Sequence, residues 1–427
     1  MATSATISKY LDQYAIIPGA VSAMEGQWDH VIVVPCFDES PEFIDRYTQA
    51  LTKTSLLLIL VLNRPPTAHE TCNDSVRDHL KGFSGAQLGP GYDLFEVSAA
   101  VSLLLVDLES LEGTTPVKQG VGRARRIGCD LALHLITQGQ VNSQWICSGD
   151  ADACWSDALF DQAWPGSASA VTLPFTHLPS DDHQLSEATR LYELRLHHYV
   201  LQLMAINSSY AFHTLGSACA FNAEAYAAVR GMPLRGAAED FYTLNKLAKV
   251  APVHRATGPM VTIEARTSSR VPFGTGPAVQ KLTESAAPTD EPIFYDARCV
   301  EALKQVHLLL ERWISTDSIE YINDLELELG KELAEAIGAK LEQWHYQDAI
   351  AHIRQAATTV EKRRPHLVTW LDGFKTLQLI HAIRDAVHPN ISFKESIKRE
   401  DQWLGMSAEN PIELLTAVQK KLNWYSE

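Results

Sequence analysis

The stretch WICSGDADACW, residues 145–155, places Asp150 and Asp152 on either side of one alanine, just past an apolar run. Trp145, Ile146 and Cys147 read as a buried strand, and the glycine with the two acids reads as its end. Carboxylates favour hard divalent cations, Mg²⁺ or Mn²⁺. Two acids in a tight turn can reach one ion. An ion held there binds a diphosphate and neutralises the charge that builds on it as a leaving group. For those three residues alone, the plain alternative is a surface turn with two solvated acids.

Upstream, HVIVVPCF (30–37) is a β-branched run containing a proline, a buried-strand pattern. Residues 41–54 read as helix, SLLLILVLN (55–63) as a second strand, and FEVSAAVSLLLVDLE (95–109) contains a third. GVGRARRIGCDLALHLI (120–136) has helical apolar spacing, QWICSGDAD (144–152) is a fourth strand and SAVTLPF (169–175) a fifth. Strands alternating with helices predict a doubly wound, mainly parallel sheet, whose ligands sit outside the carboxyl ends of the strands. Asp150 and Asp152 lie at such an end. Further on, 184–207 reads as one long helix, and HTLGSACAFNAEAYAAV (213–229) as a small-residue strand entering a helix. AAEDFYTLNKLAKV (237–250) opens with two acids, which suit the positive end of a helix dipole.

TESAAPTDEPIFYD (283–296) is a polar, proline-containing linker, and the sequence beyond it reads as almost wholly helical. The predicted division is an α/β catalytic domain over 1–285 and an α-helical domain over 286–427. Trp313, Trp344, Trp370, Trp403 and Trp424 in the latter read as core or interface, the basis for expecting a homo-oligomer through this region. With 427 residues and 46% hydrophobic content, the chain has material for two globular domains. A formal net charge of −16 argues against a general nucleic-acid partner. The run LLLILVL (56–62) is far shorter than the roughly 20 residues that span a bilayer. No transmembrane segment is expected. The 7 cysteines form no CxxC pair, consistent with reduced thiols in a cytoplasmic protein.

The order of motifs, VIVVPCFDE, GVGRARRIG, the D-x-D strand, LGSACAFNAEAYAAVRGM and AAEDFYTLNKL, resembles family 2 glycosyltransferases with the GT-A fold over residues 30–275. The matching residues are Pro35, Asp38 and Glu39; Ala124, Arg125 and Gly128; Asp150 and Asp152; and Glu239 and Asp240. The resemblance implies a nucleotide-sugar donor, a divalent metal and a hydroxyl acceptor. It implies that Glu39 and its neighbours border the base and ribose, with Arg125 near the nucleotide. Asp152 would hold the metal, with Asp150 supporting it or contacting ribose. Gly216 and Ala218 would leave room beside the sugar. Asp240 would be the general base, with Glu239 beside it, and transfer would invert the anomeric carbon. Asn63 and Arg64 stand where the family's second strand usually ends in acids that contact the base, which leaves the nucleotide open.

Three further groups are candidates. Lys118, Arg123, Arg125 and Arg126 form a basic cluster suited to phosphates or to a solvated helix face. RTSSRVPFGTGPAV puts Arg266 and Arg270 among hydroxyls and glycines, as a donor-side lid or an ordinary loop. His254 is the favoured third metal ligand, against the plainer reading of a packing histidine. Two rival functions remain: a sugar-nucleotide nucleotidyltransferase, and a non-catalytic sugar-nucleotide-binding or scaffold protein. PCFDESPEF after the first strand, in place of a glycine-rich basic loop, disfavours the former. The joint presence of Asp150, Asp152 and Asp240 disfavours the latter.

Overall fold

The computed structural model describes residues 4–19, 24–267, 274–316, 321–399, 401–422 and 424. The chain divides into two compact units, Met1–Thr189 with Thr214–Lys281 and Lys420–Glu427, and Arg190–His213 with Leu282–Gln419.

The first unit is built on a nine-stranded sheet. Its strands are β1 (His30–Cys36), β2 (Leu56–Leu62), β3 (Ser84–Gly89), β4 (Tyr92–Glu96), β5 (Val101–Asp107), β6 (Trp145–Ser148), β8 (Ala170–Thr172), β10 (Cys219–Asn222) and β11 (Val253–Arg255). β7 (Ala153–Cys154), β9 (Phe175–Leu178) and β12 (Val261–Glu264) form a second, three-stranded sheet. The large sheet runs β11-β8-β10-β6-β1-β2-β5-β4-β3. Its centre, β6-β1-β2-β5, is parallel. All seven residues of β2 are buried, as expected for a strand covered on both faces.

The expected mainly parallel sheet needs one correction. β10 runs antiparallel between β6 and β8, and β3 and β4 add an antiparallel edge beside β5. The reversal at β10 has a consequence for the site. Cys219 pairs with Ser148, so the chain entering β10 starts beside the carboxyl end of β6.

Four helices of this unit matter below: α1 (Ala5–Gln13), α2 (Glu42–Ala50), α3 (Gly120–Thr137) and, after the sheet turns back, α5 (Glu239–Leu247). Between the last two, α4 (His183–Ala205) carries the chain from the first unit's residues into the second's. α3 packs on the sheet through Gly128. A Cβ there would lie 2.3 Å from Val33 Cγ1, closer than any real contact, so only glycine lets the helix approach β1. α1 is tied down by Asp130 of α3, which accepts Tyr10 Oη at 2.6 Å and the Ile16 amide at 2.7 Å.

The second unit is helical. Residues from α4, α6 (Ala297–Ser315), α7 (Lys331–Gln343), α8 (Tyr346–Ala356) and α9 (Gly373–Ala386) share one core. Leu203, Leu303, Leu310, Trp313, Ile337, Ile350 and Ile380 are members of it. No helix among the described residues is long and apolar enough to cross a membrane.

Candidate functional site

The parallel centre of the sheet sends the ends of β1 and β6 to the same edge. Asp38 and Glu39 follow β1, and Asp150 and Asp152 follow β6. The strand stops at Ser148, so the two acids sit in a turn, closed by the Ala153 amide on the Asp150 carbonyl at 3.1 Å.

Arg125 of α3 organises this edge from below. It is only 3% exposed. Its Nη2 donates to Asp150 Oδ1 at 2.7 Å, and its Nε to Glu239 Oε1 at 3.1 Å. Nη1 donates to Ser148 Oγ at 2.7 Å, Gly149 O at 2.8 Å and Gly216 O at 3.2 Å. One guanidinium therefore ties α3, the end of β6, the approach to β10 and the start of α5. Burial opposes its charge, but Asp150, Glu239 and Asp240 outweigh that and hold its pKa above the usual arginine value.

Asp240 faces the same junction. Its Oδ2 accepts the Gly216 amide at 2.9 Å and its Oδ1 accepts the Phe241 amide at 2.7 Å. A Cβ on Gly216 would lie 3.0 Å from Arg125 Nη2 and 3.3 Å from Asp240 Oδ2, so a side chain there would crowd both groups. Burial first, then the neighbouring Glu239, pushes the Asp240 carboxyl up to about 7, against the pull of Arg125. Burial likewise pushes Asp150 up to about 6, with Arg125 opposing and Asp152 adding to the rise.

Arg266, just beyond β12, closes the other side. Its Nε donates to Asp152 Oδ2 at 2.8 Å, while Nη1 and Nη2 grip the two oxygens of Glu39 at 2.6 and 3.0 Å. The second acid of the D-x-D thus carries a guanidinium where a metal is expected. Asp152 Oδ1 and Asp150 Oδ2 accept no hydrogen bond among the described residues. No group of three His, Cys, Asp or Glu among the described residues is arranged to hold a metal. Those two oxygens fit a hard cation that takes its remaining ligands from phosphate and water, the usual habit of Mg²⁺.

The other candidates are placed as follows. Pro35 is on β1, paired with Val61. Asn63 is buried, and Asn73 links it to the site: Asn73 Nδ2 donates to the Asn63 carbonyl at 3.1 Å and its Oδ1 accepts the Asp38 amide at 3.0 Å. Lys118 is exposed. His254 is on β11, three strands from β6 in sheet order. At about 4.8 Å per strand that is about 14 Å, so the fold does not bring it to Asp152. Arg270 lies outside the described residues.

Sequence reading missed Asn73, Ser148 and Arg46. Asn73 reads as a helix-start residue, and nothing near it in the sequence points to the loop after β1. Arg46 of α2 braces the acid turn, with Nη2 on the Ala151 carbonyl at 2.9 Å and Nη1 on Glu264 at 3.0 Å. An ion-pair cluster at the ends of β2 and β5 was also missed: Arg77 with Asp107 and Glu109, and Arg64 with Glu109 at 2.5 Å. Away from these residues, at the opposite ends of β1 and β2, a cavity of about 460 Å³ is lined by Asp29, His30, Lys53 and Asp157, none of them a sequence candidate.

No protein-family model and no curated protein sequence matches the chain. Among solved structures, it is similar to the mannosyltransferase PcManGT from Pyrobaculum calidifontis in complex with GDP-Man and Mn²⁺. The identity is 15% over 86% of this chain and 92% of that one, with a TM-score of 0.35. It is also similar to the apo structure of the bifunctional glycosyltransferase WbbM, at 10% identity and a TM-score of 0.28, over 57% of this chain and 40% of that one. At such scores neither likeness bears on function.

Proposed function

We propose that the chain transfers a sugar from a nucleotide-sugar donor to an acceptor hydroxyl, assisted by Mg²⁺ or Mn²⁺, as a family 2-like glycosyltransferase of GT-A type. One observation carries the reading. Asp150, Asp152 and Glu39 meet at the carboxyl ends of β6 and β1, and Arg125 joins that edge to the carboxylate pair of buried Glu239 and half-buried Asp240. A diphosphate side and a proton-accepting side then share one crevice, where open α/β sheets bind ligands.

In this reading Asp240 takes the proton from the acceptor hydroxyl. A carboxyl raised toward 7 is a stronger base than an ordinary one, and the two backbone amides fix its plane. Glu239 holds Arg125, which in turn orients Asp150. Asp152, with Asp150 in support, would hold the metal, which would neutralise the leaving diphosphate. Arg266 lies within the same cluster and supplies a guanidinium for phosphate. Attack from the Asp240 side, opposite the leaving group, would invert the anomeric carbon.

The test is a thermal-shift screen of nucleotide sugars with Mn²⁺ and with EDTA, followed by turnover with the donor found. A ligand that binds only the folded state raises the melting temperature. A metal-dependent rise with one nucleotide sugar, lost in Asp152→Ala, is the expected result. No rise with any nucleotide sugar would remove the reading. Pyrophosphate release from a nucleoside triphosphate and a sugar phosphate would instead favour nucleotidyl transfer.

A further inference from the structure

A second set of charges lies along the same helix as the proposed base. The protein carries 52 acidic and 36 basic residues. In the first unit Arg46, Arg64, Arg77, Arg123, Arg125, Arg126 and Arg266 each pair with a carboxylate. Arg235 and Lys246 do not. Among the described residues neither side chain has an ion-pair or hydrogen-bond acceptor.

They nevertheless gather in one place. The Arg235 guanidinium lies over the Tyr242 ring, 3.9 Å from its centroid. Tyr242 and Lys246 are four residues apart on α5, hence on one face of it. Arg126 of α3 reaches the same loop, with Nη1 on the Met232 carbonyl at 2.9 Å, and the Gly122 amide donates to the Arg235 carbonyl at 3.0 Å. Arg235 and Lys246 are thus brought together around Tyr242, while Arg126 braces the loop with its donors on Asp130, the Met232 carbonyl and the Tyr14 carbonyl. Lys246 is half-buried, and the charges that act on it, Arg126, Arg235 and Lys249, are all positive. Burial together with those neighbours lowers its pKa. Arg126 has its counter-charge in Asp130, whereas Arg235 and Lys246 have none among the described residues, and a bound anion would offset the repulsion between them. A forked guanidinium with an ammonium beside it suits a phosphate group, which takes two parallel bonds from arginine and a point charge from lysine.

We propose that Arg235 and Lys246 form a subsite for a phosphate group carried by the acceptor. The acceptor role rests on the glycosyl-transfer reading, whereas the anion site stands without it. Lys246 is six residues beyond Asp240, about 9 Å along the helix. Six residues also turn it about 120° around the axis from Asp240, so the acceptor has to be long enough to separate its phosphate from the reacting hydroxyl by about seven bonds or more.

The test is calorimetric titration of the full chain with inorganic phosphate at constant ionic strength. Arg235→Gln, Lys246→Gln and Arg266→Gln are compared with the wild type, and Lys246→Met repeats the lysine test in a more apolar form. Folding of each is checked by thermal melting. Loss of one charge-assisted bond should weaken phosphate binding about tenfold in the Arg235 and Lys246 variants and leave it unchanged in Arg266→Gln. Loss in Arg266→Gln alone would place phosphate on the donor side and overturn the proposal, as would no saturable binding to the wild type. If phosphate binds through Arg235 and Lys246 while no nucleotide sugar binds at all, the glycosyl-transfer reading fails and the anion site survives. With a donor in hand, Lys246→Gln should raise KM for a phosphorylated acceptor without lowering kcat, and leave its neutral counterpart unaffected. An equal effect on both acceptors would overturn the acceptor role.

Discussion

Replacing Arg266 with glutamine should make the protein bind Mn²⁺ more tightly. Arg266 Nε is bonded to Asp152 Oδ2 at 2.8 Å, and its two terminal nitrogens are bonded to Glu39. A cation that enters through Asp152 meets a carboxylate already shared with a guanidinium. A hydrogen bond to a charged group contributes about 1.5–3 kcal/mol. Side-chain exposures of 29% for Arg266 and 19% for Asp152 leave some solvent screening, which favours the lower half of that range. Giving up the Asp152 bond alone then corresponds to about ten- to thirtyfold in cation affinity. The assay is the electron paramagnetic resonance signal of free Mn²⁺ during titration of the wild type, Arg266→Gln and Asp152→Asn. Arg266→Gln should bind about tenfold more tightly, and Asp152→Asn should lose the site. Equal or weaker Mn²⁺ binding by Arg266→Gln would refute competition between guanidinium and metal. Donor binding that ignores EDTA in the wild type and vanishes in Arg266→Gln would show that the guanidinium itself does the metal's work.

Arg125→Ala should destabilise the fold by about 3–5 kcal/mol, because it leaves Glu239 buried without its partner; urea unfolding measures this, and a change below 1 kcal/mol would contradict the hub role. Asp240→Asn should lower kcat by about 10²–10⁴-fold with donor affinity nearly unchanged, and full turnover would place the base elsewhere. Asp240 and Asp150 both titrate higher folded than unfolded, so the native state holds extra protons between about pH 4 and 7 and their contribution to stability falls as pH rises through that window. Asp240→Asn should therefore melt higher than the wild type at pH 8, with a smaller gap at pH 5; a gap that grows on acidification would reverse the assigned shift. A chain cut near residue 285 keeps Leu203 but loses Leu303, Leu310 and Trp313 of the same core, so light scattering should show aggregation, and a monodisperse fragment would mean that α4 finds other cover.

The parts of this molecule that were legible in advance share a property: they are set by local pattern. β2 is a seven-residue apolar run buried on both faces, and the helix Gly120–Thr137 carries apolar residues at helical spacing. The acids at the end of β6 become legible as a candidate site only through the order of the motifs around them, because a lone D-x-D also occurs in ordinary surface turns. Antiparallel β10 was not legible. CAFN has the same small, apolar residues in either direction, and its orientation is decided by neighbours β6 and β8, which are remote in sequence. The same holds for β3, whose exposed SGAQLG run lacks a buried-strand pattern.

The site shows the limit most plainly at Arg125 and Arg266. Arg125 was expected near the nucleotide and Arg266 in a donor-side lid or an ordinary loop, and among the described residues each is bonded to protein carboxylates or carbonyls. Sequence spacing gave the residue type and the strand end, but the partner of a charge depends on which loops the sheet order brings together. Order β6-β1 places Glu39 and Asp152 side by side, and the β12 end delivers Arg266 to both. A carboxylate pair that looks like an open metal site in one dimension is therefore, in three, a pair already neutralised by two guanidiniums. A divalent cation taking the two remaining oxygens would meet charge already offset by Arg125 and Arg266, so its affinity would depend as much on what Arg266 releases as on what Asp152 offers.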